Sequence, residues 1–146
     1  MILLAHLLFG ATIASYIKNS ILAVVLAFFS HYLLDFLPHA EYSISNKKTA
    51  IFKIAVDFCL GILLIYILSD NLFIIYVCAF VAIIPDGLTV LSRFLPNKFF
   101  SWYNNLHSKK IHFLKYKKIP IFWRIFSQVL VVAIFLILLI QQLYGF

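Results

Sequence analysis

The sequence predicts an all-α integral membrane protein, a bundle of about five transmembrane helices in one multi-pass domain spanning residues 1–146. Three observations predict it. Hydrophobic residues make up 64% of the chain and charged residues 12%, with a mean hydropathy of +1.04, outside the range of water-soluble domains. The apolar residues gather into five runs of about 17 to 20 residues, each about long enough for a hydrocarbon core near 30 Å thick. Eleven of the twelve Lys and Arg residues lie in or beside the second and fourth links between those runs, which is a topology signal.

The first run, about 1–17, carries His6 and ends at Lys18-Asn19-Ser20. No basic residue precedes its apolar part and no small-x-small pattern follows, which argues against a signal peptide. The second run, about 21–37, sets ionisable groups inside apolar sequence at Ser30-His31-Tyr32-Leu33-Leu34-Asp35. On a helix, His31 and Asp35 are four residues apart and stack on one face, so imidazole and carboxylate address the same point. Pro38 then disfavours helix at Leu37 and leaves His39 outside. The third run, about 50–68, contains Asp57, alone on its helix. The fourth, about 72–91, contains Ile84-Pro85-Asp86-Gly87. Proline lacks a donor and clashes with the preceding turn, so this helix either kinks open around a cavity or ends early with Leu88 onward at the interface. The fifth, about 125–144, holds only Gln128, Gln141 and Gln142 as polar side chains beyond Ser127 and reads as packing and anchorage. Cys59 and Cys78 sit within apolar runs without paired spacing and read as small core residues.

The link 92–120 is basic and aromatic. Phe99, Phe100, Trp102, Tyr103, Phe113 and Tyr116 interleave with Lys, a pattern suited to the headgroup layer, where ammonium groups meet anionic lipid. Membrane lipids are therefore the expected partners. A nucleic-acid partner is not expected, because the basic residues are fully used as topology signals. The positive-inside rule puts the N-terminus and the second and fourth links in the cytoplasm and the C-terminus outside. Within the link, His107 and, less favourably, His112 are placed to close over the helix ends.

Topology turns these scattered residues into one site. His6, His31, Asp35, Asp57 and Asp86 all fall within about 11 Å of the cytoplasmic face at 1.5 Å per helical residue. A lone buried His is more often hydrogen-bonded to a neighbouring helix than bound to metal, and a lone Asp is often paired with Lys or Arg. The only basic residue within a run is Lys53, however, and an unpaired Asp near a helix centre costs on the order of 3 kcal/mol. A common divalent cation neutralises the set. The metal ligands expected are His6, His31, Asp35, Asp86 and His107, with zinc, iron or manganese compatible with imidazole and carboxylate. Asp57, left uncoordinated, is the expected proton acceptor. No phosphate loop, dinucleotide glycine pattern or nucleophile elbow is present.

The stretch His6-Leu7-Leu8-Phe9-Gly10, the Pro85-Asp86 pair and His107-Ser108 resemble the pattern of small bacterial inner-membrane proteins classed as metal-dependent hydrolases, one group of which is associated with the LexA response. Residues 30–39 are similar to a Ser-His-x-Leu-Leu-Asp-x-x-Pro-His segment of uncharacterised relatives. More distantly, His31 and Asp35 together with the early His6 are similar to zinc-dependent phospholipase C, an all-helical enzyme acting on phosphodiesters at lipid surfaces. The resemblance covers roughly the first 110 residues. Pro85-Asp86 is not followed by a second Asp-His, and no His-Arg-Gly or Thr-His-Ser stands near His107, so the number of metals and the downstream ligand stay open. The resemblance implies a zinc-type hydrolase of a bacterial inner membrane, acting on a phospholipid or other amphiphilic phosphoester at the cytoplasmic leaflet. The alternative is a protein that binds or passes a metal ion or protons through the same cluster.

Overall fold

The computed structural model describes residues 2–40, 47–91, 97–105 and 119–145, and every regular element among them is a helix. Five are long: α1 (Leu3–Tyr16), α2 (Ser20–Asp35), α3 (Lys47–Leu68), α4 (Phe73–Leu91) and α6 (Ile121–Tyr144); α5 (Lys98–Asn105) has eight residues. Local chemistry sets several ends. The Asn19 side chain accepts from the Leu22 amide at 3.0 Å and caps α2. Beyond Phe36, the C-cap of α2, Pro38 stops the helix from continuing. The turn between α3 and α4 places Asn71 at a φ of 54°, a left-handed conformation that Asn tolerates better than most residues. Its side chain donates to the Tyr66 carbonyl and accepts from the Tyr76 hydroxyl, which locks that turn. At the far end of α6, Gly145 takes a φ of 70° and its amide closes on the Gln141 carbonyl.

Helix α1 is the core of the bundle. Nine of its fourteen residues are buried, and it packs against α2, α3, α4 and α6. Contacts along it fix the directions of its neighbours. The Leu4 amide meets Asp57 while Leu7 lies against Gly61, so α3 runs parallel to α1. Phe9 stacks on Phe135, and further along the Tyr16 hydroxyl donates to the Leu138 carbonyl, so α6 runs parallel as well. Gly10 lies against Cys78, Ala79 and Ala82, whereas His6 shares a cluster with His31, which bonds the Ala82 carbonyl; α2 and α4 run the other way. His6, Asp35, Asp57 and Asp86 consequently gather at one end of the bundle.

The crossing of α1 and α4 is close because its residues are small. A β-carbon at Gly10 runs into the Cys78 carbonyl oxygen and meets the Ala79 and Ala82 carbons at 2.9 Å. Small residues let helix backbones approach in this way, which brings many atoms into dispersion contact. At Gly61, by contrast, the nearest atom is the tip of the Leu7 side chain, which can turn aside.

The outer faces are apolar. Ile51–Leu68 of α3 and Ile121–Tyr144 of α6 are long and apolar enough to cross a membrane, yet only 11% and 22% of those stretches is buried in the protein. Helix α1, helix α2 and the Phe73–Thr89 portion of α4 are apolar but shorter than 18 residues. Two of the five expected spans thus have the length and composition for a crossing. Helix α4 passes without interruption through Pro85-Asp86-Gly87 to Leu91, so the helix does not end early there.

Gly10→Ala is expected to destabilise the protein by about 1–3 kcal/mol, the usual cost of overpacking a tight interior. Gly87→Ala is the contrasting control. A β-carbon there meets nothing within 4 Å, and the helical backbone gains up to about 1 kcal/mol from the exchange. Thermal unfolding in detergent reads both, with opposite signs.

Candidate metal centre

His31 and Asp35 stand one turn apart on α2, and both are buried, at 0% and 1% exposure. The imidazole of His6 on α1 stacks on that of His31, with ring centroids 4.2 Å apart and planes inclined by 21°. Asp35 bridges the Nε2 edges of the two stacked rings. Its Oδ1 is 3.4 Å from His6 Nε2, and its Oδ2 is 2.9 Å from His31 Nε2. One donor atom from each of the three residues lies within 4.8 Å of the others, and the group can hold a metal ion.

The hydrogen bond at the other edge of His31 decides what this arrangement requires. His31 Nδ1 is 2.9 Å from the Ala82 carbonyl of α4. A carbonyl only accepts, so Nδ1 carries the hydrogen, and in the neutral ring Nε2 then presents a lone pair. That lone pair faces a carboxylate oxygen at 2.9 Å, acceptor against acceptor, in a site closed to water. His6 sharpens the requirement: among the described residues neither of its ring nitrogens makes a well-aligned hydrogen bond, although both are buried. A positive charge shared by the three groups relieves this, supplied either by a proton or by a metal ion. The donor set suits the metal. With bonds of about 2.1 Å, atoms around a tetrahedral ion lie about 3.4 Å apart, and the three donor atoms here, all within 4.8 Å of one another, reach that spacing by small side-chain adjustments. The carbonyl behind His31 is the outer partner that metal-bound imidazoles generally have.

Asp86 forms the open edge. Its Oδ1 is 3.7 Å from His31 Nε2, and its side chain is 35% exposed where the other three are sealed. It stands outside the compact triad yet within a short displacement of it. Asp57 is engaged elsewhere: its Oδ2 accepts from the Leu4 amide at 3.0 Å, in the first turn of α1. There it satisfies an amide that has no partner within the helix and places negative charge at the positive end of the helix dipole. Asp57 therefore secures the helix that carries His6. His39 bonds the Leu37 carbonyl in its own turn, and that segment is pinned to α6 by Ser127 on the Pro38 carbonyl and Gln128 on the Ala40 carbonyl. His107 and His112 lie outside the described residues.

Tyr103 of α5 belongs to the surroundings of this site, which the sequence alone does not reveal. It is buried, and its hydroxyl donates to the Pro85 carbonyl at 3.0 Å, directly before Asp86. Burial, reinforced by the neighbouring Tyr32 hydroxyl, pushes the Tyr103 phenol above its ordinary range and keeps it a neutral donor. No local signal in the sequence marks this contact, because it depends on where α5 meets α4.

Comparison with protein-family models, with curated proteins and with solved structures finds no match to this chain.

The geometry separates the roles of two residues. Asp57→Ala is expected to cost about 1–2 kcal/mol of stability, as the loss of a helix cap does, while leaving metal stoichiometry unchanged. His31→Ala is expected to abolish metal binding. Metal analysis and thermal unfolding of the same purified preparations check both.

Proposed function

We propose that the chain is a five-span membrane protein and a metal-dependent hydrolase, acting on a phospholipid or other amphiphilic phosphoester at the cytoplasmic leaflet. The observation that carries this reading is the sealed triad, in which a buried carboxylate bridges the edges of two stacked imidazoles, one of them oriented by the Ala82 carbonyl. Zinc suits two imidazoles and a carboxylate, and manganese or iron fits the same atoms. The membrane reading is supported by the outward faces. Ile21 of α2 and Phe73 of α4 are 79% and 83% exposed, and the apolar surfaces of α3 and α6 call for lipid rather than water. The shorter α1 and α2 fit the same bundle because α1 is lined by other helices over most of its surface.

A bound divalent ion supplies Lewis acidity and a water acidified toward neutral pH. The residues supply the rest. His6, His31 and Asp35 hold the ion and balance its charge, and the Ala82 carbonyl keeps His31 in the tautomer that presents Nε2. Asp86, at the open edge, is the carboxylate that an incoming substrate meets, within a short displacement of the ion. The carboxylate of Asp57 is engaged by the Leu4 amide of α1.

One observation favours a second reading. The three triad residues are fully enclosed, as ligands of structural metal sites are, and a protein that binds or passes a metal ion or protons needs no substrate at the cluster. Turnover separates the two.

Purified protein is expected to retain about one divalent ion per chain, and a His31→Ala, Asp35→Ala double variant none. In mixed micelles the metal-loaded protein is expected to hydrolyse phosphodiester lipids, with the double variant inactive. Retention of metal without hydrolysis of any lipid in a broad panel points to the binding reading. Reporter fusions to the two termini test the topology: a cytoplasmic C-terminus is incompatible with five spans and a cytoplasmic N-terminus.

A further inference from the structure

We infer that Tyr103 is a positioning residue: by holding the Pro85 carbonyl it sets Asp86 within reach of the cation, so that docking of α5 completes the coordination sphere. This rests on the metal reading above and extends it to a helix and a residue outside the triad.

The proline turn of α4 has two carbonyls in use by other elements. The Ala82 carbonyl accepts from His31 of α2, and the Pro85 carbonyl accepts from Tyr103 of α5 at 3.0 Å. Thr89, one turn on, also donates to the Pro85 carbonyl at 3.2 Å. Asp86 follows that carbonyl directly in the chain, so rotation of the Pro85 peptide moves the Asp86 backbone and its carboxylate with it. The separation that matters is small. Asp86 Oδ1 is 3.7 Å from His31 Nε2 but outside the triad, and a shift of well under a helical turn decides whether it can coordinate.

The orientation of α5 agrees. Phe99 and Trp102 are each 61% exposed, whereas Tyr103 is turned inward and 8% exposed. Packing alone would be served by Phe at that position; the hydroxyl adds the bond to Pro85. The two outward aromatics and the exposed Lys98 give α5 a lipid-seeking outer face. A surface helix is thereby joined through one phenol to the ligand at the open edge of the site.

Cobalt(II) is the probe, added to the metal-free full-length protein in detergent and followed by its visible absorption. Tyr103→Phe is expected to weaken cobalt binding about tenfold to a hundredfold, the usual effect of losing an outer-shell partner, and to shift the visible bands as a carboxylate leaves the ion. Asp86→Asn is expected to cause the same change, and the double variant to add little beyond either single one, since both remove the same ligand. Wild-type bands and affinity in Tyr103→Phe overturn the inference, as does full additivity with Asp86→Asn. If Tyr103→Phe does not purify as folded protein, Asp86→Asn decides by itself: unchanged bands and affinity show that Asp86 is not within reach of the cation and overturn the inference. Absence of cobalt binding to the wild type overturns the metal reading itself, a different result from unchanged binding in the variant.

Discussion

The carboxylate of Asp35 is the constraint on which the rest of this structure depends. It is sealed from solvent, and a charge in that position is tolerable only if opposite charge and hydrogen-bonding groups are close at hand. The chain meets the requirement with two imidazoles, and bringing the second of them into place dictates much of the bundle. His6 reaches Asp35 only if α1 lies deep between the other helices. A helix that central must be passed closely by α4, and Gly10 with Ala79 and Ala82 permits that approach. The amide end of α1 must then be satisfied inside the bundle, and Asp57 supplies the acceptor. Burial of one acid thus explains a glycine, two alanines and a second acid.

Proline at position 85 works in the same direction. In a straight helix each carbonyl is taken by an amide four residues on, leaving little for neighbours. Proline withholds one amide and crowds the turn before it. The amide it withholds is the one owed to the Val81 carbonyl; in the same stretch of α4 the Ala82 carbonyl serves α2 and the Pro85 carbonyl serves α5, beside a carboxylate that is partly exposed while its neighbours are sealed. Orientation of His31, attachment of α5 and the open side of the cluster all arise within about one helical turn.

The all-helical class and the pairing of His31 with Asp35 were legible in the sequence, because both depend on periodicity along the chain. Apolar runs read as helices, and a spacing of four residues places two side chains on one face whatever surrounds them. The convergence of His6 with that pair was legible less directly, from the skewed placement of lysine and arginine. What was not legible depends on which helix meets which. The expected role of Asp57 as a proton acceptor rested on its isolation along α3, and nothing local reveals that its carboxylate meets the Leu4 amide more than fifty residues away. Gly10 reads as an ordinary apolar-helix glycine until the Cys78 carbonyl is set against it. For Pro85-Asp86-Gly87, local rules favour an opened helix and leave an early stop as the alternative. Packing on both sides of the turn carried the helix through to Leu91.

The three residues of the triad have one more property in common: all lie on α1 and α2, a single hairpin with a short connection. In the order of synthesis both helices are made before α3 begins. The acid that is costliest to bury therefore has both imidazoles within the same hairpin, made before the helices that enclose it. Helix α4 comes later in the chain and sets the Ala82 carbonyl against His31.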